Sequence, residues 1–147
     1  MRVYFDTNVL VAALKAEHVH HARSFAAIYR VRCGAVEGWV SAQTLAEVYS
    51  VLSRTPFEVP VYPEEALAMI EQSILPTFRI VDITRESYFA AISVCGNAGW
   101  KGGRVHDAVH IQAAAQAECD LIYTYDVEHF RSLGPEWGDR IQNPPVG

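Results

Sequence analysis

Four carboxylates stand where they could share a metal ion: Asp6, Glu47, Asp107 and Asp126. Asp6 closes the β-branched and aromatic run Arg2-Val3-Tyr4-Phe5, and Asp126 closes Leu121-Ile122-Tyr123-Thr124-Tyr125, so each sits at the carboxyl end of an expected strand. Asp107 falls in the first turn of an Ala-rich helix, and Glu47 lies inside a helix beside Leu45 and Val48. Crowded carboxylates repel one another and either hold protons or destabilise the fold unless a cation stands among them. Oxygen donors with room for retained water suit Mg2+ or Mn2+ and offer Zn2+ none of the nitrogen or sulfur it prefers. One or two such ions would activate a water, neutralise a scissile phosphate and stabilise the leaving oxygen of an in-line displacement. Taken singly, each acid has a plainer role: Asp6 as a helix cap, Asp107 as a partner of the helix dipole, Asp126 as a turn former, Glu47 as a half-exposed surface group. Two strand ends and the two helices flanking them are the places a site requires, and scattered surface acids would not share them.

The elements that position these acids can be read from hydrophobic period and punctuation. Asp6-Thr7-Asn8 leads into a helical pattern at Val9, Leu10, Ala13 and Leu14. Gly38-Trp39-Val40 reads as a short buried strand, with Ser41 capping a helix through Leu45, Val48 and Leu52 toward Thr55-Pro56. After a connection from Thr55 to Pro63, Glu64 and Glu65 open a helix carrying Leu67, Met69, Ile70 and Ile74, ended by Pro76. Phe78 to Ile83 reads as a strand; Thr84 with Ser87 opens a helix through Phe89, Ile92 and Val94, stopped by Gly96-Asn97-Ala98-Gly99. The loop Lys101-Gly102-Gly103-Arg104 precedes the helix from about Val105 to Glu118, and Ile141 belongs to a last edge strand. This alternation predicts one α/β domain over residues 1–147, a doubly wound parallel sheet with helices on both faces, whose ligands bind beyond the carboxyl ends of the strands.

Val3-Tyr4-Phe5-Asp6-Thr7-Asn8-Val9-Leu10 resembles the opening motif of PIN-domain nucleases, particularly the VapC-type toxins of bacterial and archaeal toxin–antitoxin pairs. Thr44-Leu45-Ala46-Glu47-Val48 is similar to that family's second acidic motif, Asp107 to Ala115 to its third, and Thr124-Tyr125-Asp126 with Phe130 to its fourth. The resemblance implies an α/β/α sandwich with a central parallel sheet and a metal-dependent endoribonuclease. Asp6, Glu47, Asp107 and Asp126 would be its acidic residues, with Asp6 and Asp107 foremost as direct ligands of Mg2+ or Mn2+. Thr7, Asn8 and Thr124 would support the site through hydrogen bonds. It implies, too, a homodimer and a cognate antitoxin that inserts into the active-site groove. The stretch Val127-Glu128-His129-Phe130 is slightly longer than the family's usual spacing, which keeps Glu128 as a reserve ligand. Lys101 and Arg104 are candidates for contacts to RNA phosphates.

Other readings compete. His106 and His110, at i and i+4, echo the H-E-x-x-H zinc motif of metallopeptidases, with Asp107 for the usual Glu. That reading leaves the carboxylate set unused. A haloacid dehalogenase-type phosphatase would need a second acid where Asn8 stands. A noncatalytic PIN-like binding module is the remaining alternative, and the presence of all four acids speaks against it. His18, His20 and His21 read as a solvated or helix-capping cluster. The net charge of −5 excludes a broad basic nucleic-acid coat but not a site that meets phosphate through cations. Cys33, Cys95 and Cys119 are odd in number and widely spaced, so they read as small core residues and not as a disulfide or zinc framework. With no apolar run near the roughly 18 residues of a membrane span and no signal-like opening, the chain reads as soluble and cytoplasmic.

Overall fold

The computed structural model describes residues 1–146. Five strands, β1 (Arg2–Phe5), β2 (Glu37–Ser41), β3 (Arg79–Val81), β4 (Leu121–Tyr123) and β5 (Ile141–Gln142), form one sheet in the order β3-β2-β1-β4-β5, and every pairing is parallel. Parallel neighbours require crossovers, and seven helices supply the covering layers: α1 (Thr7–Leu14), α2 (His21–Arg32), α3 (Ala42–Arg54), α4 (Pro63–Met69), α5 (Arg85–Ala98), α6 (Arg104–Gln116) and α7 (Val127–Leu133). The result is the expected α/β/α sandwich.

β1 lies at the centre, buried on both faces, which is why its sequence is a continuous apolar run without polar alternation. Val3 and Phe5 point into one core, with Val9, Leu10, Val48 and Leu52 from α1 and α3. Tyr4 points the other way, into a core built with Ala108, Ile111, Ala114 and Phe130 from α6 and α7. Phe5 meets the edges of Phe78 and Tyr123 at ring separations of 5.0 and 5.3 Å, tying three parts of the chain together.

The helix starts follow their caps. Ser41 Oγ accepts from Thr44 N and Thr84 Oγ1 from Ser87 N, while Gly99 closes α5 in the left-handed region at φ 73°. Two helices escape the sequence reading. α2 carries only a thin apolar stripe of Ala27, Ile28 and Val31 broken by arginines, and α7 is barely two turns long. The strand expected from Phe78 to Ile83 is only the three residues of β3, and the one expected to run to Tyr125 ends at Tyr123. Cys33 corrects the reading of three core cysteines: it follows the last turn of α2 and is exposed, whereas Cys95 and Cys119 are buried. Among the described residues no helix is long and apolar enough to cross a membrane.

Gly38 in β2 sits in close packing. A Cβ there would stand 2.7 Å from Val31 Cγ1 and 2.8 Å from the Phe78 ring, so even one methyl group must displace a core side chain. Gly38→Ala is therefore expected to destabilise the fold by about 1–3 kcal/mol, read as a lower urea midpoint with an unchanged denaturant slope.

Candidate active site

β1 delivers Asp6 to the carboxyl edge of the sheet, where it also caps α1. Its Oδ1 accepts from Thr7 N at 2.7 Å and its Oδ2 from Thr124 Oγ1 at 2.8 Å. Only 5% of Asp6 is exposed. The Thr124 hydroxyl in turn accepts from Asp126 N at 3.0 Å, so one side chain links the acids that follow β1 and β4. Asp126 is exposed and accepts from Asn8 Nδ2 at 3.2 Å. Glu47, on α3, accepts at Oε1 from Thr7 Oγ1 (2.8 Å) and His110 Nε2 (2.7 Å), and at Oε2 from Gln43 Nε2 (2.8 Å). Asp107, in the first turn of α6, meets His129 Nε2 of α7 at 2.9 Å. All four acids line one cavity of about 760 Å³, together with Thr7, Asn8, His18 and His106. Val11, Val51 and Phe57 form its apolar wall.

The electrostatics divide the acids into two kinds. Burial pushes the Asp6 carboxyl up from 3.8 to about 6; Asp107 adds to this, while His110 and the hydrogen bonds from Thr124 and Thr7 oppose it. Asp107 is raised too, by burial first and then by Asp126 and Glu47, with His110 and His129 opposing. Glu47 goes the other way: burial would raise it, but the bonds from His110, Thr7 and Gln43 together hold it below the usual carboxylate range. His110 is held well above the ordinary imidazole value, because Tyr4, Glu47 and Asp6 outweigh burial.

These contacts bear on two readings of the sequence. The sequence reading gathers the four acids into one ligand set kept together only by a cation. In the fold they share a cavity, but His110 and His129 draw Glu47 and Asp107 to partners of their own. Among the described residues no three His, Cys, Asp or Glu side chains are arranged to hold a metal ion as they stand. The contacts also count against the zinc-like histidine pair, the competing reading that the sequence already disfavoured. His106 is exposed at the cavity, but His110 is wholly buried with both ring nitrogens engaged, so the two cannot share a zinc ion without breaking buried hydrogen bonds.

Lys101, Arg104 and Glu128 lie outside the cavity. Lys101 and Arg104 are exposed just before and at the start of α6, and Arg104 packs 5.4 Å from the Trp100 ring centre. Glu128 is exposed in the first turn of α7 and does not line the cavity, so it takes no ligand position there. The histidine cluster stands, as expected, at the start of α2, with His20 at the N-cap position, half-buried and stacked on Tyr125 at 4.1 Å, and His21 Nδ1 3.0 Å from the Ala12 carbonyl. Sequence reasoning missed Gln43, His129 and the buried role of His110. The available signal for His110 was a polar side chain inside the apolar run Ala108 to Ala115, one helical turn from Asp107.

Residues 3–134 match the profile of the PIN domain. The chain belongs to the PIN domain family. As a PIN domain it superposes on VapC20 of Mycobacterium tuberculosis, described as a sarcin–ricin loop cleaving toxin, with a TM-score of 0.69, 16% identity, and coverage of 90% of this chain and 95% of the other. FitAcB of Neisseria gonorrhoeae gives a TM-score of 0.67 at 21% identity, covering 97% of each chain. VapBC2 of Rickettsia felis, solved with a promoter DNA fragment, gives 0.66 at 15% identity, covering 97% of this chain and 98% of the other. At these identities the likeness establishes the fold. No curated protein sequence is significantly similar to this one.

The residues of this PIN domain fit a divalent cation. The donors are hard carboxylate oxygens, and Asp6 and Asp107 are the two whose ionised forms burial and neighbouring acids disfavour. A cation beside them would reverse that penalty. Asp6 and Asp107 would be the residues to hold such an ion, with Glu47 and Asp126 on the same cavity wall.

Proposed function

We propose that this PIN domain is a Mg2+- or Mn2+-dependent endoribonuclease, the cytoplasmic toxin of a toxin–antitoxin pair. The observation that carries the reading is the delivery of four acids, from four separate chain segments, to one cavity at the carboxyl edge of a parallel sheet. The toxin descriptions of proteins sharing this fold support it. A bound Mg2+ or Mn2+ would supply an activated water and positive charge for the scissile phosphate. The chain's own groups do the rest. Thr7 and Thr124 fix Glu47 and Asp6 by hydrogen bonds, Asn8 fixes Asp126, and Lys101 and Arg104, exposed just before and at the start of α6, would meet RNA phosphates. The apolar wall of Val11, Val51 and Phe57 offers a cognate antitoxin segment a place to insert, and the active species is a homodimer.

The test is to incubate the purified protein with labelled RNA in Mg2+ or Mn2+, and to express it with and without the product of the neighbouring open reading frame. Internal cleavage that needs the metal, and growth arrest relieved by coexpression, are expected. RNA left intact at every metal concentration, with RNA binding retained, would overturn the enzymatic reading.

A further inference from the structure

His110 has no part in the reading above, yet it is a fully enclosed polar side chain beside the cavity. It is 0% exposed, and so is Tyr4, whose hydroxyl lies 2.7 Å from His110 Nδ1 and 3.3 Å from Thr44 Oγ1. On the opposite side of the ring, Nε2 lies 2.7 Å from Glu47 Oε1 and 4.0 Å from Asp6 Oδ1. A histidine serving only the core would find backbone carbonyls or another core hydroxyl. This one joins the central strand to two acids of the cavity.

The chemistry of the partners fixes which nitrogen carries a proton. An ionised carboxylate only accepts, so Nε2 must be the N–H that faces Glu47. Nδ1 faces a hydroxyl that can either donate or accept, so the Tyr4 contact survives whether or not Nδ1 is protonated. We propose that His110 is a positioning residue of the active site, held by Tyr4 so that its Nε2–H fixes Glu47 beside Asp6 before any cation arrives. The proposal rests on the nuclease reading for the role of Glu47 but not for the geometry. Outer partners of this kind orient the groups that meet a cation, and their removal typically weakens metal affinity or activity by about 10–100-fold.

Three variants test it, each checked for folding by circular dichroism and melting. His110→Leu keeps the bulk and removes the N–H; it is expected to lower kcat by about 10–100-fold with little change in KM for RNA, and to weaken Mn2+ binding measured by calorimetry by about tenfold or more. His110→Gln restores an N–H toward Glu47 and is expected to recover most of the Mn2+ affinity and part of kcat. Tyr4→Phe, which frees the ring from behind, is expected to fall between wild type and His110→Leu. A purely structural histidine would lower the melting temperature in all three and leave the Mn2+ affinity of the folded protein unchanged, and that result would overturn the proposal. If His110→Leu does not fold, His110→Gln and Tyr4→Phe decide: wild-type Mn2+ affinity and kcat in a folded Tyr4→Phe, with His110→Gln no closer to wild type in metal binding than in stability, overturns it. A wild type that binds Mn2+ but cleaves no RNA sinks the nuclease reading and leaves the Mn2+ titrations to judge His110. A wild type that does neither overturns both.

Discussion

Asp6→Asn and Asp107→Asn are each expected to reduce RNA cleavage by more than about 100-fold, because removing even an outer partner of a metal ligand costs 10–100-fold, while the circular dichroism spectrum stays that of wild type. Both changes are close to isosteric, and each removes a negative charge where a cation would need it. Asn at position 6 keeps the bond its oxygen accepts from Thr7 N, so α1 remains capped. Its amide group then faces Thr124 Oγ1, which already accepts from Asp126 N and must give up its present role as donor to Asp6. Asn at position 107 keeps an oxygen for His129. Because neither change empties core volume, a loss of activity in a folded variant reports on the site and not on collapse. Cleavage of labelled RNA at several Mn2+ concentrations is the measurement, and full activity in either folded variant would remove that residue from the machinery.

The strand ends and helix starts around the site were legible because local chemistry decides them. Asp6 terminates an apolar run and begins a helix; Ser41 and Thr84 are residues whose side chains cap helices; the parallel order follows from alternation alone. What escaped depends on partners far away in sequence. His110 and Glu47 are separated by 63 positions, and nothing in either segment shows that the ring faces the carboxylate and not a zinc ion. His129 reaches Asp107 only because α7 packs on α6, and α7 is too short to announce itself by period. Cys33 was misread for a related reason: α2 lacks a strong apolar stripe, so the sequence did not show that the residue after it faces out. Asp6 and Asp107 are raised mainly by burial, with repulsion from neighbouring acids a smaller cause, and the repulsion argument was incomplete about Glu47, whose charge the fold itself compensates through His110.

That difference predicts how stability responds to pH and to metal. In metal-free protein the folded-state carboxyl of Asp6 sits at about 6 against an ordinary 3.8, so between these values the folded chain binds a proton that the unfolded chain does not. The folded state therefore loses stability as pH rises from about 4 to about 6, by up to about 3 kcal/mol for a shift of this size, and the loss is complete above that window. Asp6→Asn carries no such charge. In EDTA the variant is expected to gain on wild type from about pH 4 to about pH 6 and to hold that gain above it, the difference isolating Asp6 from the other groups that titrate in the same range. Mn2+ at a thousandfold excess over its dissociation constant should reverse the order at pH 7, since a ligand that binds only the native state then adds about 4.1 kcal/mol, more than the charge of Asp6 costs. Wild type should then melt higher, and the Asp6→Asn, Asp107→Asn double variant should not respond. Melting curves on a grid of pH and Mn2+ concentration separate the two effects. A constant gap between wild type and Asp6→Asn across pH would mean that Asp6 is not held as a buried acid, and an equal Mn2+ shift in the double variant would place the ion somewhere other than this cavity.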